Sequence, residues 1–291
     1  MVILDGKQTA AAIKKDIAKQ VEELVAKGYR RPCLVAVLVG EDGASKTYVA
    51  NKEMACKEVG FDSEVLRFPA GITQESLLEE IKRLNEDDGV DGFIVQLPLP
   101  SHIDEQSVID AINPLKDVDG FHTSNVGKMI LGEEEAFVSA TPYGIVALME
   151  LNNVETAGKH CVVIGRSNIV GRPVANLLSQ KGKDCTVTIC HSRTRDLEKF
   201  TKDADIIIAA LGSPEFLKEN MVKEGAVVID VGITRIPDAA RPKGYRIVGD
   251  VDFKNVAPKC SFITPVPGGV GPMTIVSLMQ NTLKAFRRSI K

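Results

Sequence analysis

A glycine-rich turn in the middle of the chain has residues suited to binding a phosphate group. Residues 159–173 have the sequence KHCVVIGRSNIVGRP, in which an apolar run predicts a buried strand and a helical pattern begins near Gly171. A strand, a tight glycine turn and a helix together present free backbone N–H groups to phosphate. The turn departs from the usual GxGxxG pattern because Ser167 replaces the middle glycine. An ordinary strand-to-helix loop is therefore an alternative interpretation.

The segment after the next predicted strand distinguishes between the two common dinucleotides. An acid at that point accepts from the 2′-hydroxyl of NAD, whereas basic and hydroxyl groups accommodate the 2′-phosphate of NADP. Here the predicted strand 186–190 is followed by HSRTR, with no acid before Asp196. Because arginine offers planar charged donors, the loop favours NADP, the alternative being a solvated basic loop. The candidate cofactor-binding residues are Gly165, Arg166, Ser167, Val170, Gly171, His191, Ser192, Arg193, Thr194, Gly232 and Ile233.

A second group of polar residues lies in the first half of the chain. Tyr48 and Lys52 are four residues apart on a predicted helix, so they share one face. Gln96 stands at the carboxyl end of an apolar predicted strand, where open α/β sheets place their ligands. Asp117 and Asp119 lie in a short loop that ends in glycine. Each signal is ordinary alone, and a surface pair is the simpler interpretation of Tyr48 and Lys52 in isolation.

The YxxxK spacing of Tyr48 and Lys52 is also found in short-chain dehydrogenases. In those proteins the pair follows the glycine turn within the same domain. Here the pair precedes the turn by more than a hundred residues. The order of the two motifs therefore counts against that family.

Alternating strands and helices are predicted to position these residues. In the first half, apolar periodicity predicts helices at 8–27, 43–59 and 73–85 and strands at 34–39, 62–68 and 92–97. In the second half it predicts helices at 144–151, 171–180, 196–202 and 214–222 and strands at 161–164, 186–190, 206–210 and 227–231. Thr141 is the expected cap of the helix at 144–151. Residues 264–272 are too rich in proline and glycine for regular structure, and a final helix is expected from Met273 to Arg288.

This alternation predicts an α/β protein with two α/β domains, each built on a parallel sheet with helices on both faces. The first domain is expected over residues 1–140 and the second over residues 141–272. The last segment, 273–291, could pack on either domain.

Composition excludes several classes of function. A net charge of −3 over 291 residues gives no reason to expect nucleic acid or a membrane surface as a partner. No apolar run approaches the roughly 20 residues that a membrane helix needs. The acids in the first predicted helix argue against a signal peptide. Six cysteines without a CxxC pair indicate reduced thiols in a cytoplasmic protein, and no metal site is expected.

Six stretches taken together resemble the bifunctional methylenetetrahydrofolate dehydrogenase/methenyltetrahydrofolate cyclohydrolase family. They occur in the family's order and span most of the chain. They are TYVANK at 47–52, GFIVQLPLP at 92–100, PLKDVDGFH at 114–122, VVIGRSNIVGRP at 162–173, TVTICHSRT at 186–194 and TPVPGGVGPMT at 264–274. One departure is the segment Ser139-Ala140-Thr141-Pro142, where the family usually has a cysteine before the Thr-Pro. No catalytic role is assigned to that position, so the departure puts little in doubt.

The resemblance implies an architecture and two reactions. It implies a cytoplasmic homodimer with an N-terminal catalytic domain, a C-terminal Rossmann-type NADP domain and a cleft between them. It also implies that the last helix packs back on the N-terminal domain. The reactions are oxidation of 5,10-methylenetetrahydrofolate by NADP⁺ and hydrolysis of the methenyl product to 10-formyltetrahydrofolate, so the partners are tetrahydrofolate derivatives.

The resemblance also implies roles for individual residues. Lys52 is the catalytic amine, Gln96 holds that amine in position, and Tyr48 packs on the folate and orients it. Asp119 accepts hydrogen bonds from the pterin ring, and the alternative is that it only forms an Asx turn. The implied folate-binding residues are Tyr48, Asp119, Pro265, Gly268, Gly269 and Pro272.

The two reactions suit these residue types. Hydride transfer depends more on alignment than on acid–base chemistry. Hydrolysis requires water to attack the bridging carbon of a cation, and an ammonium beside a cation is pushed toward its neutral form. A neutral Lys52 can accept a proton from that water and later return it.

Three alternatives are left open by the residues. An amino-acid dehydrogenase of similar two-domain build also uses a lysine in its first domain, but its glycine-rich lysine motif is not found here. A dehydrogenase-only relative differs by lacking the hydrolysis of the methenyl compound. A nucleotide-sensing protein with an inactive first domain is opposed by the presence of Tyr48, Lys52, Gln96 and Asp119.

Overall fold

The computed structural model describes residues 1–41, 43–241 and 244–290. Its strands are β1 (Val2–Ile3), β2 (Cys33–Val39), β3 (Asp62–Phe68), β4 (Gly92–Val95), β5 (His160–Ile164), β6 (Thr186–Cys190), β7 (Ile206–Ala209), β8 (Val227–Asp230), β9 (Thr234–Pro237), β10 (Tyr245–Val248) and β11 (Phe262–Ile263). Its α-helices are α1 (Gly6–Ala26), α2 (Gly43–Val59), α3 (Gln74–Glu86), α4 (Glu105–Ala111), α5 (Thr123–Leu131), α6 (Ala140–Leu151), α7 (Gly171–Ser179), α8 (Leu197–Thr201), α9 (Phe253–Val256) and α10 (Val270–Ser289).

The chain divides into two compact units, and each contains a parallel sheet. The three-stranded unit comprises Ala11–Ala140 and Ile275–Lys291, of which Lys291 lies outside the described residues. The six-stranded unit comprises Met1–Ala10 and Thr141–Thr274. The predicted α/β class with parallel sheets is confirmed.

The three-stranded unit has the strand order β3-β2-β4, with every pair parallel. The central strand β2 is apolar, and buried from Leu34 to its end, as is usual for parallel strands that are covered on both faces. Helix α3 begins after Thr73, whose side chain accepts from the Ser76 N–H, and its buried face packs into the core beside Phe93. This packing fixes the carboxyl end of β4, where Gln96 follows.

The C-terminal helix α10 is held within the three-stranded unit by buried hydrogen bonds. Asn281 is 2% exposed, and its Nδ2 donates to the Val118 carbonyl at 2.8 Å and to the Val138 carbonyl at 2.9 Å. Lys284 Nζ donates to the Ala136 carbonyl at 2.8 Å. Because buried carbonyl groups need partners, these contacts fix the backbone next to Asp119.

The six-stranded unit has the strand order β1-β11-β8-β7-β5-β6, again with parallel pairs. Strand β7 is fully buried and contributes three consecutive isoleucines to the core. Its neighbours β5 and β8 are likewise buried along nearly their whole length. This sheet places the loops after β5, β6, β7 and β8 at one carboxyl edge, where open α/β sheets bind their ligands.

The predicted domain boundary differs from the structure at the first ten residues. The prediction assigned them to the first domain, but they lie in the six-stranded unit. Val2 and Ile3 pair in parallel with Phe262 and Ile263, so β1 forms the edge of the six-stranded sheet. The next residue, Leu4, is fully buried. A two-residue strand has no periodicity, and its partner lies near the other end of the chain, so local pattern could not reveal the pairing.

Other elements also differ from the prediction. Helices α4 and α5 were not expected, nor was the antiparallel pair of β9 and β10. The helix predicted at 214–222 is wrong, because only the 3₁₀ turn Glu219–Met221 forms there. Thr141 lies inside α6 and does not cap it.

The last helix begins within the segment that was expected to be irregular. Helix α10 starts at Val270 and includes Pro272 in its first turn. Proline is tolerated there because the first N–H groups of a helix have no intrahelical partner. None of the helices in the described residues combines the length and apolar character that a membrane span requires.

Replacing Leu4 with alanine tests the corrected boundary. The substitution should cost roughly 2–5 kcal/mol, because it leaves a cavity at a fully buried position. Hydrogen exchange should accelerate in β11 and β8, the strands nearest β1 in the sheet. Val2→Ala is the control, since Val2 is 48% exposed and should change stability by no more than about 0.5 kcal/mol. Faster exchange confined to β2, β3 and β4 would contradict the boundary.

Candidate active site

The buried amine of Lys52 is the chemical centre of the three-stranded unit. Lys52 lies on α2 and is 8% exposed. Its Nζ donates to the Gln96 Oε1 at 3.1 Å. Burial lowers the pKa of Lys52, while the negative charge of Asp119 opposes part of that change. A lysine in this position loses its proton more readily than a lysine at the surface, so more of it is in the neutral form that can accept a proton.

Gln96 is oriented by the strand that it follows. Its backbone N–H donates to the Val37 carbonyl at 2.9 Å, which continues the pairing of β4 with β2. Its side-chain Nε2 donates to the Leu97 carbonyl at 2.8 Å. Because the amide nitrogen is engaged in this way, the amide oxygen points to Lys52. The positioning role expected for Gln96 is compatible with this geometry.

Asp119 approaches the same place from a loop that runs beside β4. The loop and the strand form a parallel bridge between Asp117 and Phe93, so Asp119 lies near the end of β4. Burial raises the pKa of Asp119, Lys52 lowers it, and Asp117 raises it further. Lys52 and Asp119 are thus two desolvated groups whose charged forms stabilise each other.

Asp117 organises the loop that carries Asp119. Asp117 is 1% exposed, and its Oδ2 accepts from the His122 N–H and from Asn125 Nδ2, both at 2.8 Å. Its Oδ1 accepts from the Gly120 N–H at 3.1 Å. Gly120 has a φ of +72°, and a Cβ there would lie 2.6 Å from the Phe137 carbonyl oxygen, so only glycine fits. The turn-type hydrogen bonds of this loop are therefore made by Asp117.

Tyr48 lies one helical turn before Lys52 on α2 and is half-buried. The structure therefore brings together Lys52, Gln96 and Asp119, with Tyr48 on the Lys52 face of the helix. A buried amine with a lowered pKa, beside a carboxylate and an amide, is a candidate for proton transfer to and from a substrate.

The glycine turn of the six-stranded unit depends on close backbone contacts. Gly165 follows β5 with a φ of +133°, and a Cβ there would lie 2.2 Å from the Ala210 carbonyl oxygen. A Cβ on Gly171 would lie 2.3 Å from the Gly165 carbonyl oxygen. Both positions therefore require glycine, and the turn stays tight enough for a ligand to approach its backbone.

Ser167 changes what this turn offers to a phosphate group. Its Oγ accepts from the Val170 N–H at 3.2 Å and from the Gly171 N–H at 3.3 Å. The expectation of free backbone N–H groups is therefore wrong for these two amides, because a serine hydroxyl engages them locally. The exposed side chain of Arg166 stands beside Ser167 and adds a positive charge.

The basic loop lies at the same edge of the sheet. Ile164 of β5 pairs with Cys190 of β6, so the residues that follow these strands emerge side by side. Thr194 Oγ1 accepts from the His191 N–H at 2.9 Å, and His191 Nδ1 accepts from the Arg193 N–H at 3.1 Å. These bonds fix the loop while the side chains of Ser192 and Arg193 remain exposed.

The remaining predicted residues also belong to the six-stranded unit. Gly232 follows β8 and is buried, whereas Ile233 is 46% exposed. The segment after β11 turns through a hydrogen bond from the Gly269 N–H to the Pro265 carbonyl at 2.8 Å. The predicted folate-binding residues in this segment are Pro265, Gly268, Gly269 and Pro272.

Sequence reasoning assigned no role to several buried polar residues that organise these loops. Asn281 and Asp117 set the loop of Asp119, and Asp230 and Asp250 bind backbone amides in the six-stranded unit. Asp230 and Asp250 each stand next to a strand end and close to a glycine, which was the signal available in the sequence.

These features define a class of protein. A parallel six-stranded sheet with a tight glycine turn and a basic loop at its carboxyl edge is typical of a dinucleotide-dependent enzyme. The three-stranded unit supplies a desolvated lysine, an amide and a carboxylate.

Family models match both parts of the chain. The model described as "Tetrahydrofolate dehydrogenase/cyclohydrolase, catalytic domain" matches residues 4–119. The model described as "Tetrahydrofolate dehydrogenase/cyclohydrolase, NAD(P)-binding domain" matches residues 139–290. The chain belongs to the tetrahydrofolate dehydrogenase/cyclohydrolase family, and the resemblance found in its sequence is confirmed.

Individual relatives match over the full length. The Bifunctional protein FolD of Porphyromonas gingivalis is 62% identical over 287 residues, which cover 98% of this chain and 97% of that protein. The FolD enzyme of Campylobacter jejuni is 47% identical with a TM-score of 0.93, and the match covers 99% of each chain. The FolD of Trypanosoma brucei, solved with NADP and an inhibitor, is 40% identical with a TM-score of 0.95, over 100% of this chain and 99% of that one.

Proposed function

We propose that this chain is a bifunctional folate enzyme that uses NADP. It oxidises 5,10-methylenetetrahydrofolate to the methenyl compound and hydrolyses that compound to 10-formyltetrahydrofolate. The observation that carries the proposal is the buried Lys52 amine held by Gln96 beside Asp119, in a chain whose two parts match the family's catalytic and NAD(P)-binding models. An intact Lys52 site speaks against a nucleotide sensor with an inactive first domain.

The cofactor edge of the six-stranded unit suits a dinucleotide phosphate. NADP⁺, when bound, supplies the hydride acceptor. Gly165 and Gly171 keep the turn tight, because a Cβ at either position would clash with a backbone carbonyl group. The exposed Arg166, Ser192 and Arg193 can contact phosphate groups. His191 and Thr194 hold the loop of Arg193 in shape.

In the hydrolytic step, Lys52 takes a proton and gives it back. A water oxygen forms a bond to the bridging carbon of the methenyl cation, and the water proton goes to the neutral Lys52 Nζ. The resulting ammonium returns that proton to the ring nitrogen as the bond from this nitrogen to the bridging carbon breaks. The remaining hydroxyl proton leaves to solvent as the formyl C=O forms. Burial lowers the pKa of Lys52 and so favours the neutral amine, and the positive charge of the substrate favours it further.

Asp119 and Tyr48 are assigned to the folate. An ionised Asp119 can accept two N–H bonds from the aminopyrimidinone edge of the pterin, and the charge of Lys52 opposes the effect of burial on its pKa. Tyr48 offers a half-buried ring one helical turn before Lys52. Pro265, Gly268, Gly269 and Pro272 are assigned to folate binding by the family resemblance alone.

The cellular setting is also inferred from the family resemblance. We expect the protein to be a homodimer in the cytoplasm. We also expect its product, 10-formyltetrahydrofolate, to donate one-carbon units to purine biosynthesis. The net charge of −3 gives no support for a nucleic-acid partner. Light scattering of the purified protein tests the dimer, and a mass of one chain would contradict it.

The Lys52→Met variant tests whether one site serves the two reactions unequally. Methionine keeps the apolar stem and removes the amine, so the hydrolase activity should fall by roughly 10²–10⁴-fold, the range for lost general acid–base catalysis. The dehydrogenase activity should fall less, because hydride transfer leaves no proton on a side chain. Methenyltetrahydrofolate should accumulate as NADPH forms, which absorbance can follow.

Lys57→Met is the matched control for this variant. Lys57 lies on the same helix, and its exposed ammonium pairs with Glu53. Its replacement should leave both activities near the wild-type values. Equal losses in the two activities of Lys52→Met, or a spared hydrolase, would refute the catalytic role of Lys52.

The Arg193→Ala variant tests the preference for NADP. Loss of a charge-assisted contact should weaken NADP⁺ binding by roughly 1.5–3 kcal/mol, whereas NAD⁺ lacks the 2′-phosphate and should lose less. Titration of both dinucleotides measures the difference. Lys199→Ala, at an exposed lysine of the same unit, controls for general charge loss. The assignment fails if both dinucleotides weaken equally in Arg193→Ala.

A further inference from the structure

Two buried carboxylates lie together in the six-stranded unit. Asp230 is the last residue of β8 and is 2% exposed, and Asp250 follows β10 and is fully buried. The Asp250 N–H donates to Asp230 Oδ1 at 2.8 Å, so the two residues are in direct contact. Neither carboxylate takes part in the chemistry proposed above.

The carboxylate of Asp250 binds the loop after β7. Its Oδ2 accepts from the Leu211 N–H at 2.6 Å and from the Gly212 N–H at 2.9 Å. A single oxygen thus fixes two consecutive amides of the loop. This loop begins at Ala210 and lies against the glycine turn that follows β5. A Cβ on Gly165 would lie 2.2 Å from the Ala210 carbonyl oxygen.

The carboxylate of Asp230 binds the loop after β8. Its Oδ1 accepts from the Gly232 N–H at 3.0 Å as well as from Asp250. Its Oδ2 accepts from the Val251 N–H at 3.0 Å. The two carboxylates therefore connect the loops that follow neighbouring strands of the sheet.

Glycines permit this close approach. A Cβ on Gly232 would lie 2.4 Å from Asp250 Oδ1, and a Cβ on Gly249 would lie 1.9 Å from Asp230 Oδ2. Substituting either glycine would therefore displace a carboxylate. The cluster depends on these glycines as well as on the two acids.

The arrangement is costly for stability. Burial raises the pKa of Asp230 to about 7, and the adjacent Asp250 adds to the effect. Within the described residues, the buried Asp250 Oδ1 has no hydrogen-bond partner. Two adjacent buried acids, one of them with an oxygen that lacks a hydrogen-bond partner, lower the stability of the fold. Destabilising groups of this kind occur mostly at functional sites.

We infer that Asp230 and Asp250 are positioning residues of the cofactor site, fixing loops 210–212 and 231–233 at the edge where the dinucleotide binds. The inference rests on the proposed function for the identity of the cofactor. It predicts that the pair controls NADP⁺ binding and dehydrogenase activity but not hydrolysis of supplied methenyltetrahydrofolate. Lys52, Gln96 and Asp119, to which the chemistry of hydrolysis is assigned, belong to the other unit.

The test uses the full chain with Asp250→Ala and three measurements. Titration should show NADP⁺ binding weakened on the order of ten-fold or more, as expected when a charged acceptor for two amides is lost. The Michaelis constant for NADP⁺ should rise in parallel. Hydrolysis of supplied methenyltetrahydrofolate should stay within about two-fold of wild type, which general unfolding would not allow.

Asp205→Ala is the matched control for a structural effect. Asp205 immediately precedes β7 at the opposite edge of the sheet, accepts from the His160 N–H at 2.8 Å and pairs with Lys223. Its loss should lower stability without a selective loss of NADP⁺ binding. A selective loss of NADP⁺ binding in this control would show that any damage to the unit has the same effect, and would overturn the inference.

Asp250→Asn keeps the test decisive if the alanine variant fails to fold. Asparagine retains one accepting oxygen but no charge, so NADP⁺ binding should weaken by about two-fold to ten-fold. Unchanged NADP⁺ binding in the folded variant would overturn the inference. A wild-type chain that binds NADP⁺ but turns over neither folate substrate would instead refute the proposed function and leave this inference standing.

Discussion

The burial of one lysine amine is the constraint on which the three-stranded unit depends. Lys52 is withdrawn from water, held by the amide of Gln96 and influenced by the charge of Asp119. Desolvation favours the neutral amine and the carboxylate opposes it, so the balance between them sets the proton affinity of the site. The apolar strands, the loop organised by Asp117 and the bonds from α10 keep these groups in place.

At the carboxyl edge of the six-stranded sheet, the loops are held by contacts to their backbone. Tight glycine contacts and buried carboxylates hold the loops by their backbone, and basic side chains remain exposed for phosphate. The rigidity comes from backbone hydrogen bonding, so the outer side chains stay free to recognise the ligand. We therefore expect that the chemistry of the amine and the binding of the dinucleotide can be altered separately by mutation.

Periodicity and motifs predicted strands β2 to β8 and singled out the polar residues around Lys52, because these signals are local. Several features escaped prediction. The pairing of β1 with β11 and the hydrogen bonds from Asn281 join residues far apart in sequence. Ser167 was noted as a departure from the glycine pattern, but its bonds to two amides could not be inferred without the conformation of the turn. Folate itself was indicated by the family resemblance and not by residue chemistry.

The most direct test of this account is the titration of Lys52 in the intact protein. Isotope-labelled lysine, with the Lys52→Met variant used to assign the resonance, reports the protonation of Nζ by NMR. The account predicts a pKa below the ordinary lysine value, and a further decrease in Asp119→Asn, where the attracting charge is lost. A Lys52 pKa at or above the ordinary value, or one that does not fall in Asp119→Asn, would contradict it.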